Sequence, residues 1–94
     1  MNYRSHKLLA AVRQLSCVEC GSPASQAAHA NLIELGKGKG IKAHDSAIMA
    51  LCMACHAELD NGNSMSRDEL REFQYRAIVR THMALWAMGL VEVA

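Results

Sequence analysis

A chain of 94 residues with four cysteines and a formal charge of +1 has the size of one small domain, and we predict a single domain over residues 1–94. Hydrophobic residues make up 51% and charged residues 20% of the chain, which excludes a disordered polar protein. No apolar run approaches the roughly 20 residues that span a bilayer, and the first residues lack the apolar core of a signal peptide. The sequence therefore predicts a cytoplasmic protein without membrane contact.

The first half of the chain predicts short elements joined by turns. Ser5 is a candidate cap for a helix that runs to about Leu15. Residues 27–35 predict a short strand or an extended segment, and the three glycines of residues 36–40 predict a flexible loop. The five apolar residues 47–51 predict a buried strand.

The second half predicts two helices. The first covers residues 54–60 and stops at Asn61-Gly62. The second begins with a capping box, Ser66 and Glu69, and continues for roughly six turns to Met88 before Gly89. Three large side chains near its end are expected in the core: Met83, Trp86 and Met88.

The four cysteines form two C-x-x-C pairs, Cys17/Cys20 and Cys52/Cys55. Each pair can present two sulfurs on one tight turn, and two pairs complete the Cys₄ shell of a structural zinc ion. A metal would also stabilise a chain that has few large hydrophobic side chains. A disulfide framework is disfavoured without a secretion signal, and a thioredoxin-like motif would leave the second pair unexplained.

Two histidines lie close to these pairs. His56 directly follows Cys55, and Asp60 lies one helical turn further on, so an imidazole and a carboxylate form a half-site for a divalent ion. The C-x-x-C-H order also occurs at c-type haem attachment sites, which the second cysteine pair and the absence of an export signal disfavour. His29 lies in an apolar stretch, where a histidine alone is more often a buried structural residue.

Positive charge is concentrated in two stretches. Residues 1–16 carry three basic side chains and no acidic one. The same is true of residues 36–44, which end just before Asp45. Such stretches are either solvated surface or contacts for phosphates.

Together these residues resemble the HNH (ββα-metal, His-Me finger) nuclease superfamily, and most closely the small prophage-encoded YbcO-like family. The resemblance extends over nearly the whole chain. It rests on the following matches: Cys17/Cys20, Ala28-His29, the glycine-rich stretch before Asp45, the segment from Leu51 to Asp60, Arg80-Thr81, Trp86 and Gly89.

The resemblance implies an α+β fold with a zinc-bound ββα-metal motif between an N-terminal helix and a long C-terminal helix. It also implies that His29 is the general base and that His56 binds a catalytic divalent cation, Mg²⁺ or another ion. Many members have a second ligand before the base histidine and an asparagine before the second cysteine pair, where this chain has Ala28 and Ala47. Asp45, His44 or Asp60 would then complete the cation site.

Two functions remain open at the level of sequence. The first is a phage-associated, metal-dependent DNA endonuclease whose loop lysines, Lys37, Lys39 and Lys42, contact the DNA backbone, with Arg4, Lys7 and Arg13 as further candidates. The second is a non-catalytic zinc-knuckle module that binds DNA or a protein. In either case the long C-terminal helix could cover the core or pair with a second copy as a homodimer.

Overall fold

The computed structural model describes residues 2–93, which form an α+β fold of three α-helices and a two-stranded antiparallel sheet. The helices are α1 (His6–Val12), α2 (Met53–Asn61) and α3 (Arg67–Ala87), and the strands are β1 (Gln26–His29) and β2 (Ile48–Leu51). No helix within the described residues has both the length and the apolar character needed to cross a membrane.

The N-terminal helix begins where the sequence predicts and ends earlier. The Ser5 side chain caps α1 by accepting the N–H of Leu8 at 3.1 Å. The N–H groups of Gln14 and Leu15 bond to carbonyls three residues back, so the chain tightens after Val12 and the helix does not reach Leu15. Leu15 is nevertheless buried.

The extended segment predicted for residues 27–35 is strand only in its first part. β1 ends at His29, and a single 3₁₀ turn, Ile33–Leu35, follows before the glycine-rich loop. β1 pairs with β2 in a register that sets Gln26 opposite Leu51 and His29 opposite Ile48. The sheet thus has a Gln26 end, next to the start of α2, and a His29 end, next to the loop.

Both faces of this small sheet are covered, so all four residues of β2 are buried. Neighbouring residues of a strand point to opposite faces, and β2 therefore contributes to two separate cores. The first core contains Cys17, Ala28, Ala30, Ala43, Ala47, Met49, Leu51, Leu59, Phe73 and Ala77. The second core contains Ala11, Val12, Leu15, Ile48, Ala50 and Leu85.

The long helix forms with its predicted capping box, but the residues it buries near its C-terminal end are not the ones predicted. Ser66 accepts the N–H of Glu69, and the Glu69 carboxylate accepts the N–H of Ser66. The residues that α3 buries are Phe73, Gln74, Ala77, Thr81 and Leu85.

The prediction that Met83, Trp86 and Met88 are core residues is wrong. They are 64%, 53% and 60% exposed. The buried row runs through Thr81, whose hydroxyl donates to the carbonyl of Ala77 and accepts the N–H of Ala50. A buried polar residue that joins α3 to β2 is not visible in a pattern of apolar side chains.

Candidate functional site

The four cysteine sulfurs lie at one place, between the turn after α1 and the start of α2. All four lie within 4.8 Å of one another, and the Sγ atoms of Cys20 and Cys52 are 3.6 Å apart. Sulfurs at about 2.3 Å from a tetrahedral zinc ion are about 3.8 Å apart, so this spacing fits a Cys₄ zinc site. It is far longer than a disulfide bond, and all four cysteines are free thiols.

Local backbone geometry holds each pair in place. In the first pair the N–H of Cys20 donates to Cys17 Sγ, and in the second the N–H of Cys55 donates to Cys52 Sγ, both at 3.5 Å. Cys52 is also the N-cap residue of α2. The N–H of Val18 bonds to the carbonyl of Ala50, which ties the first turn to β2 and brings the two pairs together.

The pKa values of the cysteine thiols are shifted in opposite directions. Burial raises the pKa of Cys17, but N–H groups of Cys20 and Cys52 donate to its sulfur and help to lower the pKa from 9.0 to about 6. Burial and the neighbouring sulfurs raise the pKa of Cys55 well above its ordinary value. A divalent cation would stabilise all four thiolates together and so offset the repulsion between neighbouring sulfurs.

His56 is oriented from β1 and lies beside Asp60. Its Nδ1 is 2.7 Å from Oε1 of Gln26, and because an amide oxygen only accepts, Nδ1 donates and Nε2 keeps its lone pair in the neutral ring. Nε2 lies 3.2 Å from Oδ2 of Asp60. Two acceptors at that distance need a proton or a cation between them, and both side chains are partly exposed.

His29 is oriented by Asp45. Its Nε2 is 2.7 Å from Oδ1 of Asp45, and Asp45 is only 3% exposed. Burial raises the pKa of Asp45, but hydrogen bonds from His29, the Ser5 N–H and Arg4 outweigh it and lower the pKa below 3.8. An ionised carboxylate can only accept, so Nε2 of His29 carries a proton and Nδ1 carries the lone pair in the neutral ring.

These two pairs lie apart. Gln26, which contacts His56, and His29 stand at opposite ends of β1, about 10 Å apart along the strand and on alternate faces. Asp45 lies with His29, and its oxygens accept from three donors: His29, Arg4 and Ser5. The structure therefore does not bring Asp45 to the His56–Asp60 pair, and the cysteines are the one group of three or more metal-binding side chains within bonding distance among residues 2–93.

The remaining predicted residues lie on the loop between the strands. Lys39 and Lys42 are exposed and Lys37 is half-buried, and none of the three has an acidic partner within 4.0 Å in the described part of the chain. The alternative candidate His44 bonds through Nδ1 to the Ser46 hydroxyl and stacks on Tyr3.

Two residues contact the histidine pairs in ways that the sequence does not predict. Gln26 is absent from the predicted residues, and Arg4 is predicted only as a candidate contact to the DNA backbone. Gln26 orients His56, and its signal is a lone polar residue at the start of a strand that continues as Ala-Ala-His. Arg4 contacts Asp45 across 41 positions of sequence, a separation over which periodicity and spacing carry no information.

Comparison with known proteins gives a family without an assigned activity. No curated protein and no solved structure matches the chain. A protein-family model described as "Protein of unknown function (DUF968)" matches residues 1–81, which is most of the chain and includes both cysteine pairs and both histidine pairs. The chain therefore belongs to the DUF968 family.

Proposed function

We propose that this protein is a metal-dependent DNA endonuclease of the HNH type, with a structural zinc ion at its four cysteines. The observation that carries the proposal is that both imidazoles are oriented through one nitrogen, His29 by Asp45 and His56 by Gln26. In the neutral ring each orientation leaves the second nitrogen able to accept a proton or bind a cation. Phosphodiester hydrolysis needs both of these functions.

His29 serves as the general base. Its Nε2–H donates to Asp45, so Nδ1 is the atom that takes a proton from the attacking water. The Asp45 carboxylate holds the ring in this tautomer and stabilises the imidazolium that forms. The His29 side chain is 16% exposed, which leaves it accessible at the edge of the sheet.

His56 and Asp60 hold the catalytic divalent cation. Neighbouring ligands of an octahedral ion at about 2.1 Å are about 3.0 Å apart, close to the 3.2 Å between His56 Nε2 and Asp60 Oδ2. When bound, the cation stabilises negative charge on the scissile phosphate and on the leaving oxygen. An imidazole with a carboxylate favours a transition metal such as Mn²⁺ or Ni²⁺ over Mg²⁺.

The loop lysines provide the contacts to the DNA backbone. Lys37, Lys39 and Lys42 stand on the loop that leads to Asp45 and have no acidic partner among residues 2–93. Three phosphate contacts to duplex DNA give a slope of about −2.7 in log K against log salt concentration. Binding should therefore be weak, salt-sensitive and poor in sequence information.

The strictest demand of the proposal is that one phosphodiester reaches both histidine pairs. If it does, the two pairs act as one unit, and losing either abolishes most of the rate. The double variant His29→Ala/His56→Ala should then be about as slow as each single variant, whereas independent sites would multiply their losses.

The first test is nicking of supercoiled plasmid by the zinc-loaded chain with Mg²⁺, Mn²⁺ or Ni²⁺, and with a chelator. His29→Ala should lower the rate by about 10²–10⁴-fold because the general base is lost. His6→Ala is the matched control, since His6 is an exposed histidine at the start of α1. A wild-type rate in His29→Ala would contradict the assignment of His29.

The second candidate is a non-catalytic zinc-knuckle module that binds DNA or a protein. The observation in its favour is the separation of the two histidine pairs, each of which offers few cation ligands. Calorimetry separates the two functions. Mn²⁺ binding by the zinc-loaded chain that disappears in His56→Ala favours the enzyme, and zinc as the one bound ion favours the module.

A further inference from the structure

The chain before α1 crosses the loop between the two strands and is bonded to it along its length. The side-chain amide of Asn2 donates to the carbonyls of Gly36 at 2.8 Å and Lys42 at 3.1 Å. The carbonyl of Tyr3 accepts the N–H of Asp45 at 2.9 Å. We call residues 2–5 the N-terminal strap.

The strap packs against Gly36, where the absence of a side chain leaves room for Asn2. Its φ of +96° lies in the left-handed region, and a Cβ at this position would overlap the Asn2 side chain. A side chain at position 36 would therefore be strained in its backbone and would also have to displace the Asn2 side chain.

Arg4 is the residue of the strap that reaches Asp45. Its Nη1 donates to Oδ1 of Asp45 at 3.0 Å and to the carbonyl of Ala43, and its Nη2 donates to the carbonyl of Lys42 at 2.7 Å. The backbone N–H of Ser5 donates to Oδ2 of Asp45 at 2.6 Å. Both oxygens of the carboxylate are thus held from the strap, and Oδ1 is shared between Arg4 and His29.

This sharing restricts what Asp45 can do to His29. A guanidinium is always charged and only donates, so Arg4 adds to the hydrogen bonds from His29 and Ser5 that favour the ionised carboxylate, and it restricts the rotation of that group. With the carboxylate held in place, Nε2 of His29 faces an acceptor, Oδ1 of Asp45. Arg4 is 45% exposed in its side chain, yet its guanidinium is committed to this network.

We propose that Arg4 is a positioning residue: it holds Asp45 against His29 and so keeps the proton of His29 on Nε2 and the lone pair on Nδ1. The tautomer part of this proposal stands on the hydrogen bonds above, and its catalytic meaning rests on the proposed nuclease function. Through its bonds to the carbonyls of Lys42 and Ala43, Arg4 also joins the backbone of the inter-strand loop to the His29 end of the sheet.

The test uses the zinc-loaded full chain as wild type, Arg4→Gln and Arg4→Lys. The matched control is Arg71→Gln, because Arg71 pairs with Glu34 of the same inter-strand segment but does not contact Asp45. Long-range ¹H–¹⁵N spectra of the histidine rings at mildly alkaline pH report the tautomer of His29 without any need for activity. We expect mainly Nε2–H in wild type and Arg71→Gln, a mixture in Arg4→Gln, and an intermediate state in Arg4→Lys.

Kinetics supply the second readout. Loss of a residue that orients a functional group through another typically costs 10–100-fold, and here we expect that loss in kcat with KM for DNA nearly unchanged. An arginine that instead contacts a phosphate would raise KM and reduce the salt slope by about 0.9.

Each outcome decides the proposal. An unchanged His29 tautomer in folded Arg4→Gln overturns it, and if that variant does not fold, an unchanged tautomer in Arg4→Lys does so. A shifted tautomer together with no cleavage by any variant, wild type included, supports the positioning role and rejects the nuclease function.

Discussion

The proposed zinc ion should contribute a large part of the stability of this chain, and one cysteine substitution tests this. Cys52→Ser removes one of four sulfurs that lie within 4.8 Å of one another. Met53→Ser is the matched control, since Met53 is the next residue and is 74% exposed. The first core that adjoins the cysteines contains five alanines, so it has little apolar area to compensate for a lost ion.

The size of the effect follows from the metal. Structural zinc in small domains binds with about 10–16 kcal/mol, so a Kd of about 1 nM, or about 12 kcal/mol, is a moderate value. At about 1 µM free zinc, a thousandfold above this Kd, binding stabilises the folded state by about 4.1 kcal/mol. For a chain of 94 residues that corresponds to roughly 15–30 °C in melting temperature.

The assay combines metal content with thermal unfolding followed by circular dichroism. Wild type and Met53→Ser should carry one zinc per chain and melt together, and chelation should lower both by the range above. Cys52→Ser should lose most of the zinc and melt near the chelated wild type. Equal melting temperatures for Cys52→Ser and zinc-loaded Met53→Ser in the absence of chelator would refute the metal-dependent account of stability.

Three further predictions concern polar contacts that hold the fold. Thr81→Val should cost about 1–3 kcal/mol in urea unfolding because the buried N–H of Ala50 loses its acceptor, whereas Thr81→Ser keeps the hydroxyl and should preserve that bond. Ser66→Ala should cost about 1 kcal/mol through loss of the cap, and equal stability of the two proteins would contradict the role of the capping box. The pKa of Asp45 is lowered in the folded state, so the stability it contributes is present above its ordinary value of 3.8 and is lost as pH falls through the folded pKa. The stability difference between wild type and Asp45→Asn, measured by denaturant titration, should therefore be constant near neutrality and shrink below about pH 4.

Local signals in this sequence predict local structure well. The two C-x-x-C pairs anticipate four sulfurs that the fold brings together, and Ser66 with Glu69 anticipates the start of α3. Within each cysteine pair, and between Ser66 and Glu69, the residues are three positions apart, where backbone geometry alone determines what can meet. The approach of one cysteine pair to the other depends on the tertiary bond between Val18 and Ala50.

Features that depend on distant partners are missed for a physical reason. The buried row of α3 passes through Thr81, which is tolerated in the core because it bonds to β2, whereas side-chain size and apolar character alone favour Met83 and Trp86. Asp45 is a reasonable cation ligand by residue type, but Arg4 and Ser5 occupy its oxygens from 40 or more positions away. Residue type indicates the chemistry that a side chain can perform, and tertiary contacts decide with which partner.

The alternation of β2 between two cores has a consequence for how the molecule opens. Ile48 and Ala50 belong to the second core, and Met49 and Leu51 belong to the first. If β2 leaves one core, it also leaves the other, because its alternate residues pack in both. The two cores should therefore unfold together. Amide hydrogen exchange in β2 should thus require global unfolding, and loss of order at the cysteine cluster should lower the protection of amides in α1, on the other side of the sheet.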